Sequence, residues 1–486
     1  MRRTSLLTRG YLTLHALVFG AIGLIIVGAI VSWGAVSQRS AALFGQREEA
    51  FQVAEAGIEY YRWHLAHAPT DFKDGQSGPG PYLHPYDDKD GNQIGMFTLT
   101  ITPPPVGSTV VKVVSKGEVA TAPGVSRSIE ATLAIPSLAK FAVAANAPMR
   151  FGQGTEVFGP IHSNDGIRFD GIAHNLVTSA KTSYDDPDHT GPDEFGVHTH
   201  VNPPPGSGVD ESYRPAEMPP ATVPVRTDVF VAGRQFPVPA VDWNGFTTDL
   251  ANLKTAAQAS GRYFSSSGRS GYLLTLKTND TFDLAKVTSL TAVPGSCDDP
   301  GNQSGWGSWS VNATQSYLTN QAFPTNGLLF FEDNVWVEGQ INTARLTIAV
   351  GTFPDSPSTN KNITVNHDLK YTNYDGRDII GLIAQGNLNV GMNSSDTLRL
   401  DAALVAKNGR VGRYYYDSPG CAPYDHRSAI TLYGMIGTKD RYGFAYTDNT
   451  GYATRTITYD ANLLYGPPPS FPLTSDSYQV ISWREL

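Results

Sequence analysis

Hydrophobic and polar positions change period along this chain, and each change marks a different element. From Gly10 to Gln38 no residue is charged, and apolar side chains fall on every face of the helix that the run would form. The run is about twice the 7–15 residues of a secretory-signal core and exceeds the roughly 20 residues a spanning helix needs. Beyond Arg39 the pattern turns amphipathic. Phe44, Phe51, Ala54, Ile58, Tyr61 and Leu65 make one apolar stripe, with Arg47, Glu48, Glu49, Glu55, Glu59 and Arg62 on the other faces. The first proline is Pro69, so one unbroken helix is predicted over 11–66. Its first half is apolar all round, and its second half needs a folded layer to cover the stripe.

Period two follows. Met96–Thr102, Thr109–Ala120 and Ser126–Ile135 alternate apolar and polar residues, with Pro103-Pro104-Pro105 and Ala122-Pro123-Gly124 between them. Three antiparallel strands give the apolar face that the stripe lacks. After Pro136 a motif recurs: a short apolar strand, a polar turn with Asn or Gly, an alternation, then Gly. Its copies are Ile161–Gly171, Leu329–Gly339 and Leu382–Gly391, with a shorter copy at Leu404–Gly412 and a weaker one at Met435–Gly443. Leu382 to Leu404 is about the length of one coil of a parallel β-helix. The expectation is a solenoid or β-rich stack; a sandwich of ordinary hairpins, for which Asn-Gly turns serve equally well, is the alternative. Between the first and second copies, 181–325 reads as insertions: a Pro/Gly/Asp-rich loop at Tyr184–Gly208 and a short helix at Thr247–Gly261.

Charge sets orientation and partners. Arg2, Arg3 and Arg9 precede the apolar run without an acid, which keeps the N-terminus cytoplasmic and exports the rest. Residues 1–66 hold six Arg and four Glu, so the remainder carries −11 of the net −9, a poor nucleic-acid binder. The 48 Gly and 33 Pro, with 17% charged residues, favour many short strands and turns. Cys297 and Cys421 both fall in the exported part, where an oxidising compartment joins such a pair as a disulfide; two free thiols are the alternative.

The basic leader ending at Gly10, the following Tyr11-Leu12-Thr13-Leu14, and the stretch AFQVAEAGIEYYRWHL (Ala50–Leu65) resemble the type IV pilin family, and the last resembles minor pilins of the PilX type. The segments GLIAQGNLNV, LRLDAALVAKNG and YDANLLYGPPPSFP with the terminal YQVISWREL are similar to the C-terminal region of large pilin-like exported proteins. The resemblance implies an α+β pilin-like N-terminal part, a long helix on an antiparallel meander, followed by a mainly-β domain of parallel β-helix or solenoid type. It divides the chain into a leader (1–10), a transmembrane helix (11–38), an amphipathic helical spine (39–68), a β meander (69–137) and a β-solenoid-like domain (138–486). It further implies cleavage between Gly10 and Tyr11 by a prepilin peptidase, and a single-pass inner-membrane precursor with its C-terminal domain extracytoplasmic. Other pilins and pilus-assembly proteins become partners, with a surface glycan or protein as an adhesion target. Where major pilins carry a Glu at the fifth position of the mature helix, this chain has His15, a departure that points to a minor or tip subunit. A plain single-pass surface protein and a carbohydrate-active β-helix enzyme are the rival functions.

Chemistry is sparse. His198 and His200 alternate, so both imidazoles could meet one ion, with Asp185, Asp186, Asp188, His189, Asp193 and Glu194 close in sequence. A polar loop explains these residues equally well, and no metal or cofactor is assigned. Tyr86–Asn92 has the Gly of a calcium loop but lacks its first and last acids, and reads as a solvated turn. Asp165, Asp170, Glu332, Asp333 and Asp401 lie near the repeats as a glycosidase's acids would, but no nucleophile elbow, phosphate-binding loop or HExxH helix accompanies them. The expectation is no catalysis. Trp306, Trp309 and Tyr414-Tyr415-Tyr416 are either platforms for sugars or partners, or core.

Overall fold

The computed structural model describes residues 8–104, 108–135, 137, 139–212, 214–243, 250–471 and 477–486. The chain forms two compact units, one comprising 1–103, 111–134 and 477–486, the other 104–110 and 135–476. The expected leader lies mostly outside the described residues.

In the first unit, helix α1 runs unbroken over Thr8–His67. Its end follows from chemistry just beyond it. Pro69 cannot continue the helix, and the Asp71 carboxylate accepts from Lys73 N (2.8 Å) and Gly75 N (2.6 Å) while facing His64 Nε2 at 3.1 Å. Strands β1 (Tyr82–Asp87), β2 (Gln93–Thr102), β3 (Val111–Val119) and β4 (Ser126–Ala134) form an antiparallel meander. The turn between β1 and β2 is held by Asp88, which accepts from Asp90 N and Asn92 N at 2.8 Å each.

The stripe on α1 meets this sheet, but not over its expected length. Ala50, Val53, Ala54, Ile58, Tyr61 and Leu65 are buried where α1 packs on β2, β3 and β4, whose Phe97, Leu99, Val113, Ile129 and Ala131 are buried too. Phe44, expected in the covered stripe, is 70% exposed. The close approach depends on two glycines: a Cβ on Gly117 of β3 would drive into Ala50 O and Ala54 N, and one on Gly57 of α1 into Ser115 and Phe97. The fifth strand of the sheet is a correction to the expected 138–486 domain. Gln479–Glu485 pairs antiparallel with β4, and Trp483 packs edge-on against Phe51 of α1 at 5.7 Å. The last residues of the chain therefore belong to the first unit, because β4 would otherwise leave its outer row of N–H and C=O groups unpaired.

The second unit is β-rich and built on parallel ladders. One ladder joins, in order, Arg262–Phe264, Leu328–Phe331, Arg345–Val350, Ile379–Ala384, Thr397–Ala406, His426–Thr438, Val143–Ala145, Ile161–Ser163, Val177–Ser179 and Arg234–Gln235. Others run beside it: Gly271–Leu276 to Val335–Gln340, Ile363–Thr364, Leu388–Val390 and Val411–Arg413, and Gly451–Tyr459 to Thr155–Phe158 and Ile172–Ala173. Rung order is not chain order. The strands from 143 onward stack beyond 438, so the N-terminal rungs continue the stack that the C-terminal rungs end. The expected insertion at 181–325 is likewise corrected, since it supplies rungs at 234–235, 262–264 and 271–276. Within it, Thr281–Leu290 and Val311–Ala322 form an antiparallel extension, and helix α2 occupies Leu250–Ser260.

Alternation explains why the rungs are buried on both faces. Leu329 and Phe331, Leu382 and Ala384, and Leu404 and Ala406 point into one apolar core. Leu328 and Phe330, Ile379 and Ile383, and Ala403 and Val405 point the other way, under α2 residues Leu250, Leu253 and Ala257. The recurring Asn of the turns has its own use. Asn334 Oδ1 accepts from Asn362 N (2.9 Å), Asn362 Oδ1 from Asn387 N (2.7 Å), and Asn387 Oδ1 from Arg410 N (2.9 Å). Each turn amide thus satisfies a backbone N–H one rung on, where no strand partner exists.

Cys297 and Cys421 form a disulfide beside Met392, Tyr414 and Tyr416. Trp306 and Trp309 pack on the same cluster, and Trp306 Nε1 donates to Tyr415 O at 2.9 Å. These aromatics are largely internal and not free platforms. The guanidinium of Arg413 lies fully buried beneath them, over the rings of Tyr416 and Tyr452, and donates to Ser394 Oγ (2.9 Å) and to the carbonyls of Met392 (3.1 Å), Gly391 and Tyr424.

Two substitutions probe these contacts. Gly117→Val should overpack the α1–sheet seam and cost about 1–3 kcal/mol, whereas Gly45→Ala, with nothing within 4 Å of its added Cβ, should be neutral or stabilising by up to about 1 kcal/mol. Urea denaturation of the detergent-solubilised chain distinguishes them, and equal midpoints would refute the seam. Replacing both Cys297 and Cys421 by Ala opens a link of sequence separation 124 and should remove about 4–5 kcal/mol on the chain-entropy account. An unchanged melting temperature would mean that aromatic packing alone holds this region.

Candidate functional site

Two regions carry features beyond packing, one in each unit. The first is the leading half of α1. Leu12, Leu17, Leu24, Ile25, Ile30, Val31 and Trp33 are all at least 60% exposed, and the segment is long and apolar enough to cross a membrane. Tyr11, the residue after the expected cleavage point, is 66% exposed. His15 is exposed too. Its Nδ1 lies 2.6 Å from Tyr11 O, and its ring sits between those of Tyr11 and Phe19. A carbonyl only accepts, so Nδ1 carries a proton. Leu43 and Phe44, beyond Arg39, are exposed as well.

The second region is a buried cluster. The hairpin of Ser183–Tyr184 with Glu194–Phe195 lifts the intervening loop, and Val197–His198 then pairs parallel with Ile167–Phe169. Strand alternation puts His198 and His200 side by side, ring centroids 5.1 Å apart, both with no exposure. The loop folds Asp186 and His189 over them. Around the Glu194 carboxylate stand His189 Nε2 and His198 Nε2, each 3.0 Å from Oε2, and His200 Nε2, 3.1 Å from Oε1. Asp186 Oδ2 lies 3.6 Å from His189 Nε2 and 3.5 Å from His198 Nε2.

Outer contacts orient these groups. His200 Nδ1 faces Asp210 O at 2.7 Å and His198 Nδ1 faces Phe195 O at 3.3 Å, so both rings are protonated on Nδ1 and turn Nε2 inward. Glu194 Oε1 accepts from Arg214 N (2.9 Å), and Asp186 Oδ1 from Asp188 N (3.1 Å). Arg168 borders the cluster, its Nη1 3.6 Å from Asp186 Oδ2, but its charge is taken up by Asp170 and Glu211, each at 2.7 Å. Burial alone would raise both carboxylates and lower His198. The mutual attraction outweighs it: Asp186 is held down to about 2, Glu194 lies well below the usual carboxylate range, and His198 is pushed up to about 9.

Of the acids near His198 and His200 in sequence, only Asp186 and Glu194 join them. Asp188 pairs instead with Arg150 (3.5 Å) and Arg441, while Asp185 and Asp193 are exposed. Arg168 and Glu211 had no signal in the sequence. The carboxylates near the repeats are each engaged separately: Asp170 by Arg168 and by His200 N (2.8 Å), Glu332 by Lys254 (2.5 Å), Asp333 by Ser267 (2.6 Å), Asp401 by Tyr374 (2.7 Å) and Arg399 (2.9 Å). Asp165 accepts from Gly166 N (2.9 Å) within its own turn. A cleft of about 750 Å³ lies elsewhere in the second unit, walled by Phe323, Pro324, Leu346 and Tyr465. Its Arg345 is spent on the carbonyls of Gly376 (2.6 Å), Gly466 (2.8 Å) and Pro467 (2.7 Å).

No protein-family model and no curated protein matches the chain. Among solved structures it is similar to the crystal structure of the competence-associated pilin ComZ from Thermus thermophilus, at 12% identity over 91% of this chain and 98% of that one, with a TM-score of 0.29. A likeness at that score carries no weight on its own.

Glu194 is the carboxylate that all three imidazoles share, so Glu194→Gln should destabilise the protein by about 3–5 kcal/mol, as loss of one member of a buried charged group does. Glu211→Gln, at a side chain 60% exposed, should cost far less. Thermal melts of the two variants that coincide would refute the central role of Glu194.

Proposed function

We propose that this chain is a membrane-anchored, pilin-like minor subunit of a type IV pilus or a related surface machine, sited at or near a filament tip. The observation that carries the reading is the division of α1. One continuous helix is bare and apolar in its first half and packed on an antiparallel sheet from Ala50 onward. A simple anchor accounts for a bare span of 11–38. It gives no reason for Leu43 and Phe44 to stay uncovered past the charged Arg39, at the level where water begins. Packing among the helices of neighbouring pilins covers them.

Orientation follows from Arg2, Arg3 and Arg9: the N-terminus cytoplasmic, both folded units outside. The precursor is cleaved after Gly10 by a prepilin peptidase. In the second unit the parallel ladders are read as faces of a parallel β-helix, whose loops meet a surface glycan or protein. The part is one of assembly and adhesion, not catalysis. The tip position rests on His15 and on size. In pilins the Glu at this place is thought to meet the positive N-terminus of a neighbour. His15, with Nδ1 committed to the Tyr11 carbonyl, supplies no such anion, and an unmatched charge in hydrocarbon costs several kcal/mol. A repeating shaft would incur that cost at every subunit, and a single tip subunit would not.

Mass spectrometry of the native N-terminus, combined with gold labelling of the second unit on sheared filaments, tests the reading. The expected results are a chain beginning at Tyr11, blocked by Gly10→Glu, and single labels at filament ends. An intact Met1 start in cells with an active peptidase would leave a plain anchor, and labels repeating along the shaft would refute the tip position.

A further inference from the structure

We propose that Asp186, His189, Glu194, His198 and His200 form a binding site for one divalent transition-metal ion of the zinc class. The proposal goes beyond the assembly role and does not depend on it. Its geometric basis is convergence. Donor atoms of Asp186, His189, Glu194 and His200 all lie within 4.8 Å of one another, and His198 Nε2 adds a fifth at 3.0 Å from Glu194 and 3.5 Å from Asp186. Tetrahedral zinc with bonds of about 2.0–2.1 Å places its ligand atoms roughly 3.3 Å apart. The spacings of 3.0–3.6 Å between carboxylate oxygens and imidazole nitrogens here bracket that value.

A second, independent observation is what the inner atoms lack. His198 Nε2 and Asp186 Oδ2 are buried and make no hydrogen bond among the described residues. His198 has no exposure and Asp186 2%. The nearby atoms are close enough for attraction but not aligned as donors and acceptors. His198 directs Nδ1 at Phe195 O and Nε2 at the two carboxylates, so positive charge belongs between Nε2 and those oxygens. His200 holds Nδ1 on Asp210 O and brings Nε2 within 3.2 Å of Glu194 Oε2, a position that either a proton or a metal ion can fill. Two buried carboxylates facing three imidazoles need positive charge between them, and a bound divalent cation supplies it where a proton otherwise would. A backbone carbonyl on the far nitrogen of each imidazole is the outer-shell arrangement that fixes a metal-binding tautomer.

The donor chemistry selects the ion. Three imidazoles disfavour calcium and magnesium, which take oxygen ligands, and suit zinc and its first-row neighbours. Two carboxylates balance a 2+ charge, while Arg168 is already neutralised by Asp170 and Glu211. Such an ion would tie the loop bearing Asp186 and His189 to the strand bearing His198, and binding free energy would become folding free energy for the 183–214 segment.

The test uses the full-length chain without a histidine tag, solubilised in detergent and stripped with chelator. Zinc should be retained at about one ion per chain after dialysis and should raise the melting temperature. Cobalt in its place should give the intense visible bands of a low-coordinate nitrogen–oxygen site. His200→Ala should weaken zinc binding by about 100-fold or more, beyond what loss of an outer-shell partner causes. His189→Ala, on the loop, should do the same and serves where His200→Ala fails to fold. His426→Ala, a 55% exposed imidazole outside the cluster, should bind as the parent does. A stripped parent chain that takes up neither zinc nor cobalt would overturn the proposal, as would undiminished binding in folded His189→Ala.

Discussion

The first sheet is completed by the last strand of the chain, and much of the architecture depends on that pairing. β4 ends at Ala134, and its outer edge is filled by Gln479–Glu485. Residues 135–476 of the second unit are therefore inserted between two neighbouring strands. The insertion must return its two ends to within one strand spacing, about 4.8 Å. Trp483 of the returning strand touches Phe51 of α1, so the helix that opens the chain is packed in part by residues that close it. The sheet that covers the helix is complete only when Gln479–Glu485 is in place.

Within the second unit the governing need is backbone satisfaction. A parallel rung takes its hydrogen bonds from the rungs on either side, and at the turns that supply lapses. The file of Asn334, Asn362 and Asn387 fills the gap, and two of the three, Asn334 and Asn387, lie in the turns of the recurring motif. Arg413 meets a similar need with a charged side chain, donating to a set of carbonyls that no strand reaches. Its burial without a carboxylate is offset by those carbonyls and by the faces of Tyr416 and Tyr452.

What the sequence disclosed was local, and what it hid was long-range. An uncharged run and an apolar stripe are written in neighbouring residues, so α1 and the alternating strands of the meander were legible. So were the repeats, whose form of apolar strand, polar turn with Asn or Gly, and alternation needs no partner to recognise. Rung order was not, because nothing in Val143–Ala145 says that it pairs with Ile436–Thr438 rather than with the next copy along. The terminal strand alternates no more clearly than a tail. Phe44 was misplaced in the covered stripe because periodicity gives the face of a helix but not where its sheet begins. Of the histidine cluster, the pair His198 and His200 followed from strand alternation. Asp186 and His189 did not, since their placement depends on a hairpin of two residues a side.

The cluster also stands at an instructive place. Val197–His198 is an edge strand: it pairs with Ile167–Phe169, which pairs with Met149–Phe151, and the sheet stops there. A stack of rungs buries its interior easily but must end somewhere, and an open end exposes unpaired backbone to any passing strand. In the middle of the stack the next rung provides the restraint. At this end the loop 185–193 and the segment through Arg214 provide it. Arg214 reaches back to the carbonyls of His200 (2.8 Å) and Val201 (2.9 Å). The loop 185–193 has no buried apolar side chain, so hydrophobic burial does not fix it as it fixes the interior rungs. Charge does so instead, concentrated where this three-stranded sheet ends, so that a group of buried ionisable side chains lies at a sheet edge.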